Sequence, residues 1–346
     1  EVTCDAAGNV LATWAPPGAT GSPLILAAHL DTVFPADTEI RIREENGCYH
    51  APGVADNGRG LAALLALARA MVAVRLPVSR PVVFVATVGE EGVGDLRGVK
   101  HLFRARSRWR EAVGFIALDG TGSRRIVNRG GGPRRLRLVL RGPGGHSWAD
   151  WGTVNPAHAL GLVIAEVARL RLPRQPRTAV TVARVGGGTS VNAIPQEAWL
   201  ELDLRSEENG ALAEVEQRVR AAVRGAVGEV NARRRRGTPS LGFELELIGD
   251  RPGGETPARS GLVRAARAAT RAIGRSPELV ASSTDANLPM SLGIPAIALG
   301  AGGESGGTHT TAEWYGNEGG VEGIERLLLT VAAVAGVREA ERQAAD

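Results

Sequence analysis

The sequence predicts an α/β protein in two parts: an open, mixed but largely parallel sheet domain built from residues 1–121 and 250–346, and a ferredoxin-like α+β domain inserted at 122–249. Three observations carry this. Short continuous apolar runs alternate with a helical segment near the amino end, as strands covered on both faces by helices do. A half-exposed β-α-β-β-α-β pattern fills the middle, and the first pattern then resumes. A chain of 346 residues is also long enough for two cores.

Taken in order, residues 24–29 form the first apolar run, 81–88 a second that is richer in β-branched residues, and 113–118 a third. Between the first two, residues 60–74 are rich in alanine and leucine and bounded by Gly58 and Pro77, which predicts a helix. Residues 135–141 alternate leucine or valine with arginine, the pattern of a half-exposed strand. A helix follows at 156–170, alternating strands at 178–185 and 199–205, a long helix from 210 to about 235, and a strand at 243–248. Beyond the insert come a helix at 260–273, strands at 278–281 and 296–299, and a closing helix from about 319 to 335.

The net charge of +4 is carried almost wholly by arginine, with Lys100 the only lysine. No regular aromatic interleaving accompanies the arginines, so the excess reads as a solvated surface and no nucleic-acid partner is expected. The dense run at 233–236 is placed at the end of a helix, where cations meet the negative end of the dipole. Two cysteines, Cys4 and Cys48, make no disulfide framework in a chain this long, which points to a reduced, cytoplasmic setting. No stretch approaches the ~20 apolar residues of a membrane helix, and no charged-then-apolar leader follows Glu1, so neither membrane association nor secretion is expected. The chain begins without a methionine, which leaves open an upstream segment that was lost or processed.

The residues with chemistry to offer are His29, Asp31, Asp56, Glu90, Glu91, Asp119, His146 and His309. Most follow the end of a predicted strand, the carboxyl edge where open α/β sheets place ligands. Singly, each has an ordinary explanation. Asp56 can cap the helix beginning near Arg59, Glu90-Glu91 can be a solvated turn, and Asp119-Gly120 is a common turn dipeptide. His146 can be a loop residue, and Arg205 can simply end an exposed strand. Five metal-binding groups on one edge are harder to explain that way.

Zinc takes histidine nitrogen and carboxylate oxygen and keeps a position open for water in catalytic sites. Two metals ~3.5–4 Å apart can share a carboxylate and together activate water and polarise a carbonyl, which requires about five protein ligands. His29, Asp56, Glu91, Asp119 and His309 supply that inventory. A further group must take a proton from water without being tied to metal, and Glu90-Glu91 offers one carboxylate for each task. His50, His101 and His158 are assigned no chemistry, and Asp285 is assigned to the organisation of its own loop.

Eight segments together resemble a known family. They are His29-Leu30-Asp31-Thr32-Val33, Gly53-Val54-Ala55-Asp56-Asn57, Gly89-Glu90-Glu91-Gly92, Ala117-Leu118-Asp119-Gly120, Gly145-His146-Ser147, Val191-Asn192-Ala193-Ile194-Pro195, Thr284-Asp285-Ala286-Asn287 and Gly307-Thr308-His309-Thr310. In this order, and over nearly the whole chain, they look like the motifs of the dinuclear zinc family that contains peptidase T, carboxypeptidase G, carnosinase and acetylornithine deacetylase. The resemblance implies a catalytic domain of the zinc-exopeptidase type at 1–121 and 250–346, and a lid at 122–249 that forms a homodimer. It implies two Zn2+ ions, with Co2+ or Mn2+ as alternatives: Asp56 bridges them, His29 and Asp119 hold one, Glu91 and His309 the other, and Glu90 is the general base. Asp31 stands two residues after His29, so on an extended backbone its carboxylate is expected to hold the second imidazole nitrogen. His146 is implied to reach into the partner subunit's site and stabilise the oxyanion, while Asn192 and Arg205 contact the substrate.

In the resembled family the position of Asp119 tends to be aspartate in aminopeptidases and dipeptidases, and glutamate in deacetylases and carboxypeptidases of the carboxypeptidase G type. The expected activity is therefore metal-dependent hydrolysis of an amide bond in di- or tripeptides. The alternative is a deacylase or amidohydrolase of N-acyl or N-carbamoyl amino acids. A metal-free, non-catalytic binding protein is the reading of a different class, and the complete ligand set stands against it.

Overall fold

All six residues of the strand Leu24–His29 are buried, as they must be in a strand paired on both sides and covered on both faces. The computed structural model describes residues 2–338. In it this strand lies in a nine-stranded sheet between Val82–Thr87 and Gly114–Leu118, parallel to both. Ala296–Leu299 continues the parallel series beside Gly114–Leu118. The flanks are antiparallel. Val10–Trp14 pairs with Val82–Thr87 and carries Val2–Cys4 outside it, while Arg125–Gly130 pairs with Ala296–Leu299 and with Gly254–Glu255. Glu278–Ser282 joins Arg125–Gly130 in parallel.

Alternation along each central strand sends successive side chains to opposite faces. Leu24, Leu26, Phe84, Ile116 and Leu118 pack against the helices Gly60–Ala73, Gly261–Ala272 and Gly320–Ala335, through residues such as Leu67, Val263 and Leu327. Ile25, Ala27, Val83, Val85 and Phe115 form the opposite core with Val99, Leu102, Phe103 and Met290. Phe103 and Phe115 meet edge to face at 5.7 Å. Each fully buried large apolar side chain contributes roughly 1.5–3 kcal/mol. The central strands are thus the rigid part of this unit, and their carboxyl ends are where a fixed constellation can be built.

Contacts divide the chain into two units, the first running to Gly130 and resuming at Gly253, the second spanning Gly131–Pro252. Arg125–Gly130 belongs to the first unit because its ladder partners do. In the second unit an antiparallel sheet runs Thr178–Gly187, Glu197–Ser206, Gly132–Arg141, Gly242–Asp250. Ala198, Leu200, Leu202 and Leu204 point into a core with the helices Pro156–Ala168 and Asn209–Ala232. The residues between them face outward, where Arg135 pairs with Asp203, and Arg137 and Arg184 with Glu201. Asn155 caps the first helix by accepting the Ala157 and His158 N–H groups, with Pro156 at the position where its missing donor costs nothing. The long helix ends at Ala232, just ahead of the arginine run.

A small sheet not legible in the sequence pairs Glu304–Gly306, Trp314–Gly316, Cys48–His50 and Arg43–Glu45. It brings residues 51–56 beside residues 307–313. No helix among the described residues is long and apolar enough to cross a membrane.

Candidate metal centre

Three parallel strands deliver their next residues to one edge. His29 closes Leu24–His29, in register with Thr87. Glu90 and Glu91 follow Thr87 through a turn at Gly89, whose φ of +70° and crowding against the Arg97 side chain leave no room for a Cβ. Asp119 follows Gly114–Leu118, and its N–H is held by the Leu299 carbonyl. Asp56 and His309 arrive from elsewhere, on the irregular loops beside the small sheet. The Asp56–Asn57 peptide bond is cis.

The Asp56 carboxylate lies between two imidazoles: Oδ1 is 3.1 Å from His29 Nε2 and Oδ2 is 3.1 Å from His309 Nε2. His309 Nε2 is also 3.1 Å from Glu91 Oε1. Donor atoms of His29, Asp56 and Asp119 lie within 4.8 Å of one another; so do those of Asp56, Glu91 and His309, and those of His29, Glu90 and Glu91. His29 and Glu90 are buried, Asp56, Glu91 and Asp119 half-buried, and His309 exposed.

Asp31 does not hold His29 as the spacing predicts. Its backbone carbonyl oxygen, not its carboxylate, lies 2.9 Å from His29 Nδ1, and the carboxylate stays 4.0 Å away. The strand ends at His29, and the carboxylate turns instead to the neighbouring loop and accepts the N–H groups of Glu90 at 3.0 Å and Glu91 at 2.8 Å. It thereby sets the backbone of both glutamates.

The electrostatics call for positive charge. Burial alone would pull the His29 imidazole down, but the Asp56 hydrogen bond and the charges of Asp119, Glu90 and Asp285 outweigh it and lift the pKa to about 11. Burial pushes Asp119 up to about 7, with His29 opposing and Asp56, Asp285 and Glu91 adding to the rise. Asp56 is also desolvated, yet His29 and His309 hold its carboxyl below the ordinary aspartate value. The Asp31 carbonyl can only accept, so a neutral His29 carries its proton on Nδ1 and turns an Nε2 lone pair toward the carboxylate. Asp56 Oδ1 is buried and faces that nitrogen at 3.1 Å. Lone pairs converging from nitrogen and oxygen onto one small space fit divalent cations.

Several supporting residues escaped the sequence. Glu313, 1% exposed, accepts N–H groups from Gly53, Ala55 and Asp56. Arg59 donates to the carbonyls of Ala301 and Gly320, and Asn57 to that of Leu118, next to Asp119. Asp285 accepts from Thr87 Oγ1 at 2.5 Å, close enough to the edge for its charge to act on His29 and Asp119. Asp285 lies in a segment already singled out and Glu313 three residues beyond one, but their partners are remote in sequence and no spacing rule connects them.

His146, Asn192 and Arg205 belong to the second unit. Gly145–His146 and Ala193–Ile194 form a short antiparallel ladder, and the Ser147 N–H donates to the Asn192 carbonyl, so His146 and Asn192 are local neighbours. His146 Nδ1 accepts the N–H groups of Trp148 and Ala149, which leaves the proton of the neutral, exposed ring on Nε2. Arg205 lies on Glu197–Ser206 and donates to Asp203 at 2.6 Å. Among the described residues no hydrogen bond links it to His146 or Asn192.

Residues 25–333 match the model of the family described as Peptidase family M20/M25/M40. The succinyl-diaminopimelate desuccinylase of Corynebacterium glutamicum is 27% identical over 296 residues, which cover 81% of this chain and 73% of that protein. Two solved structures share the fold. Aminopeptidase PepT from Bacillus cereus aligns with a TM-score of 0.74 at 24% identity, covering 97% of this chain and 89% of that one. A tripeptidase from Staphylococcus aureus aligns with a TM-score of 0.78 at 22% identity, covering 97% and 88%.

Proposed function

The chain belongs to peptidase family M20/M25/M40 and is a metal-dependent amide hydrolase, and from that premise we propose that it is an exopeptidase for di- or tripeptides, working at a two-zinc centre. The observation that carries the centre is the sharing of Asp56 by two donor triads, His29–Asp56–Asp119 and Asp56–Glu91–His309. In this reading His29, Asp56 and Asp119 would hold one cation, and Asp56, Glu91 and His309 the other. Zinc suits this histidine and carboxylate set, and cobalt or manganese can stand in for it.

Bound cations would supply Lewis-acid polarisation of the scissile carbonyl and acidify water. Glu90 is left for proton transfer. It takes the proton of the attacking water as the new C–O bond forms, then passes it to the amine nitrogen as the C–N bond breaks. His146 Nε2–H is a donor suited to the oxyanion that develops on the carbonyl oxygen. Arg205 has guanidinium N–H groups beyond the one committed to Asp203 and offers them to a substrate carboxylate, and Asn192 offers its side-chain amide to the substrate.

His146 is proposed to serve the site of a second copy, with the insert as dimer surface. Glu90→Ala and His146→Ala proteins, each inactive alone, are expected to regain partial activity when their subunits are exchanged. Exchanged dimers without recovery would overturn the shared site.

Peptide rather than acyl specificity rests on Asp119, whose side chain matches the aminopeptidase and dipeptidase pattern. Cleavage of an N-acyl amino acid is the second reading, favoured by the likeness to the desuccinylase. A panel of dipeptides, tripeptides, and N-acetyl and N-succinyl amino acids, assayed with zinc, cobalt or manganese, separates them. A peptide is expected to lead in kcat/KM by about tenfold or more. An acyl amino acid in front by that margin would transfer the assignment, and silence across the whole panel would sink both.

A further inference from the structure

Of the donors around Asp56, some follow strands of the central sheet, whereas Asp56 and His309 sit on loops with no ladder of their own. One buried side chain joins those loops. Glu313 lies four residues beyond His309, and its carboxylate accepts the N–H groups of Gly53 at 3.1 Å, Ala55 at 2.8 Å and Asp56 at 2.8 Å. Its backbone carbonyl accepts the Ala51 N–H at 3.1 Å, and the next residue, Trp314, pairs with His50. Among the described residues it has no ion-pair partner. A carboxylate buried against three amide dipoles and no cation is satisfied only while the loop keeps the shape that points those amides at it.

We propose that Glu313 is a positioning residue for the metal centre: it fastens the Asp56 loop to the His309 loop, so that cations meet a preformed donor set. Both Glu313 oxygens are acceptors in use, so glutamine, the nearest match in shape, would turn an NH2 toward a backbone donor. The effect falls hardest on the cation assigned to Glu91 and His309, because both loop-borne donors contribute to it, while His29 and Asp119 remain anchored by strands. The inference rests on the metal centre proposed above.

The test is a cobalt(II) titration of metal-stripped protein, followed by calorimetry and by the visible absorption of the bound ion, on wild type, Glu313→Gln and Glu313→Asp. Wild type is expected to bind two ions. Glu313→Gln should hold the weaker of them about 10- to 100-fold less tightly, as loss of a partner behind a ligand does, with a changed absorption spectrum. Glu313→Asp keeps the charge, should fall between the two, and serves if the glutamine variant does not fold. Thr330→Val is the control for plain loss of stability: it removes a buried hydrogen bond to the Arg326 carbonyl, inside the helix Gly320–Ala335, and should lower the melting temperature without altering cobalt affinity. Two ions bound by both Glu313 variants with wild-type constants and spectrum would overturn this inference alone, as would an equal loss of affinity in Thr330→Val. A wild type that takes up no cobalt would overturn the metal centre and this inference with it.

Discussion

Glu90→Gln is expected to lower kcat for the preferred substrate by roughly 100- to 10,000-fold, the range associated with losing a general base or acid, while leaving two metal equivalents bound. The amide matches the carboxylate in size and cannot receive a proton at neutral pH. Glu90 is 4% exposed, and its N–H is held on the Asp31 carboxylate, so its backbone is set before substrate arrives. Its neighbour Glu91 is held by the other Asp31 oxygen, and its own carboxylate is turned to His309. The proposed function gives the two adjacent glutamates separate tasks, and the experiment distinguishes them. Metal analysis by mass spectrometry should find both ions in Glu90→Gln and a deficit in Glu91→Gln. If Glu90→Gln loses an ion as well, Glu90 is a ligand and the proton has another acceptor.

Asp56→Ala is expected to abolish hydrolysis and to empty both positions, because the Asp56 carboxylate is the one group common to the two triads. Melting curves provide a readout apart from activity. A ligand that binds only the folded state stabilises it by mass action, by about 2.7 kcal/mol at a hundred times its dissociation constant. Added zinc should therefore raise the melting temperature of metal-stripped wild type and leave that of Asp56→Ala unmoved. An Asp56→Ala protein that still binds one ion tightly would show that Asp56 belongs to a single cation rather than to both.

Much of the molecule is legible before folding because its signals are periodic or local. The apolar runs at 24–29 and 296–299 coincide with strands, and the helix read at 60–74 is observed as Gly60–Ala73. In the insert, alternation around residues 135–141 and 199–205 marks one face of a sheet, and the observed strands extend the same alternation to Gly132–Arg141 and Glu197–Ser206. Arg125–Gly130 and the strands of the small sheet gave no such signal. Arg43–Glu45 is charged throughout, and Glu304–Gly306 holds no large apolar residue, so nothing in either segment alone favours a strand. They exist because a neighbour offers a ladder.

The sequence by itself determined which residues could meet at the sheet edge. Donors placed directly after buried strands inherit the geometry of the sheet, and His29, Glu90, Glu91 and Asp119 needed only that rule. Tertiary structure decided how they are held. The Asp31 carboxylate supports the Glu90–Glu91 backbone instead of the His29 ring, and Glu313 ties residues 53–56 to the His309 loop across some 260 positions. The physical reason is that both carboxylates bind backbone N–H groups. Every residue except proline has one, so such a bond leaves no partner type, spacing or period in the sequence.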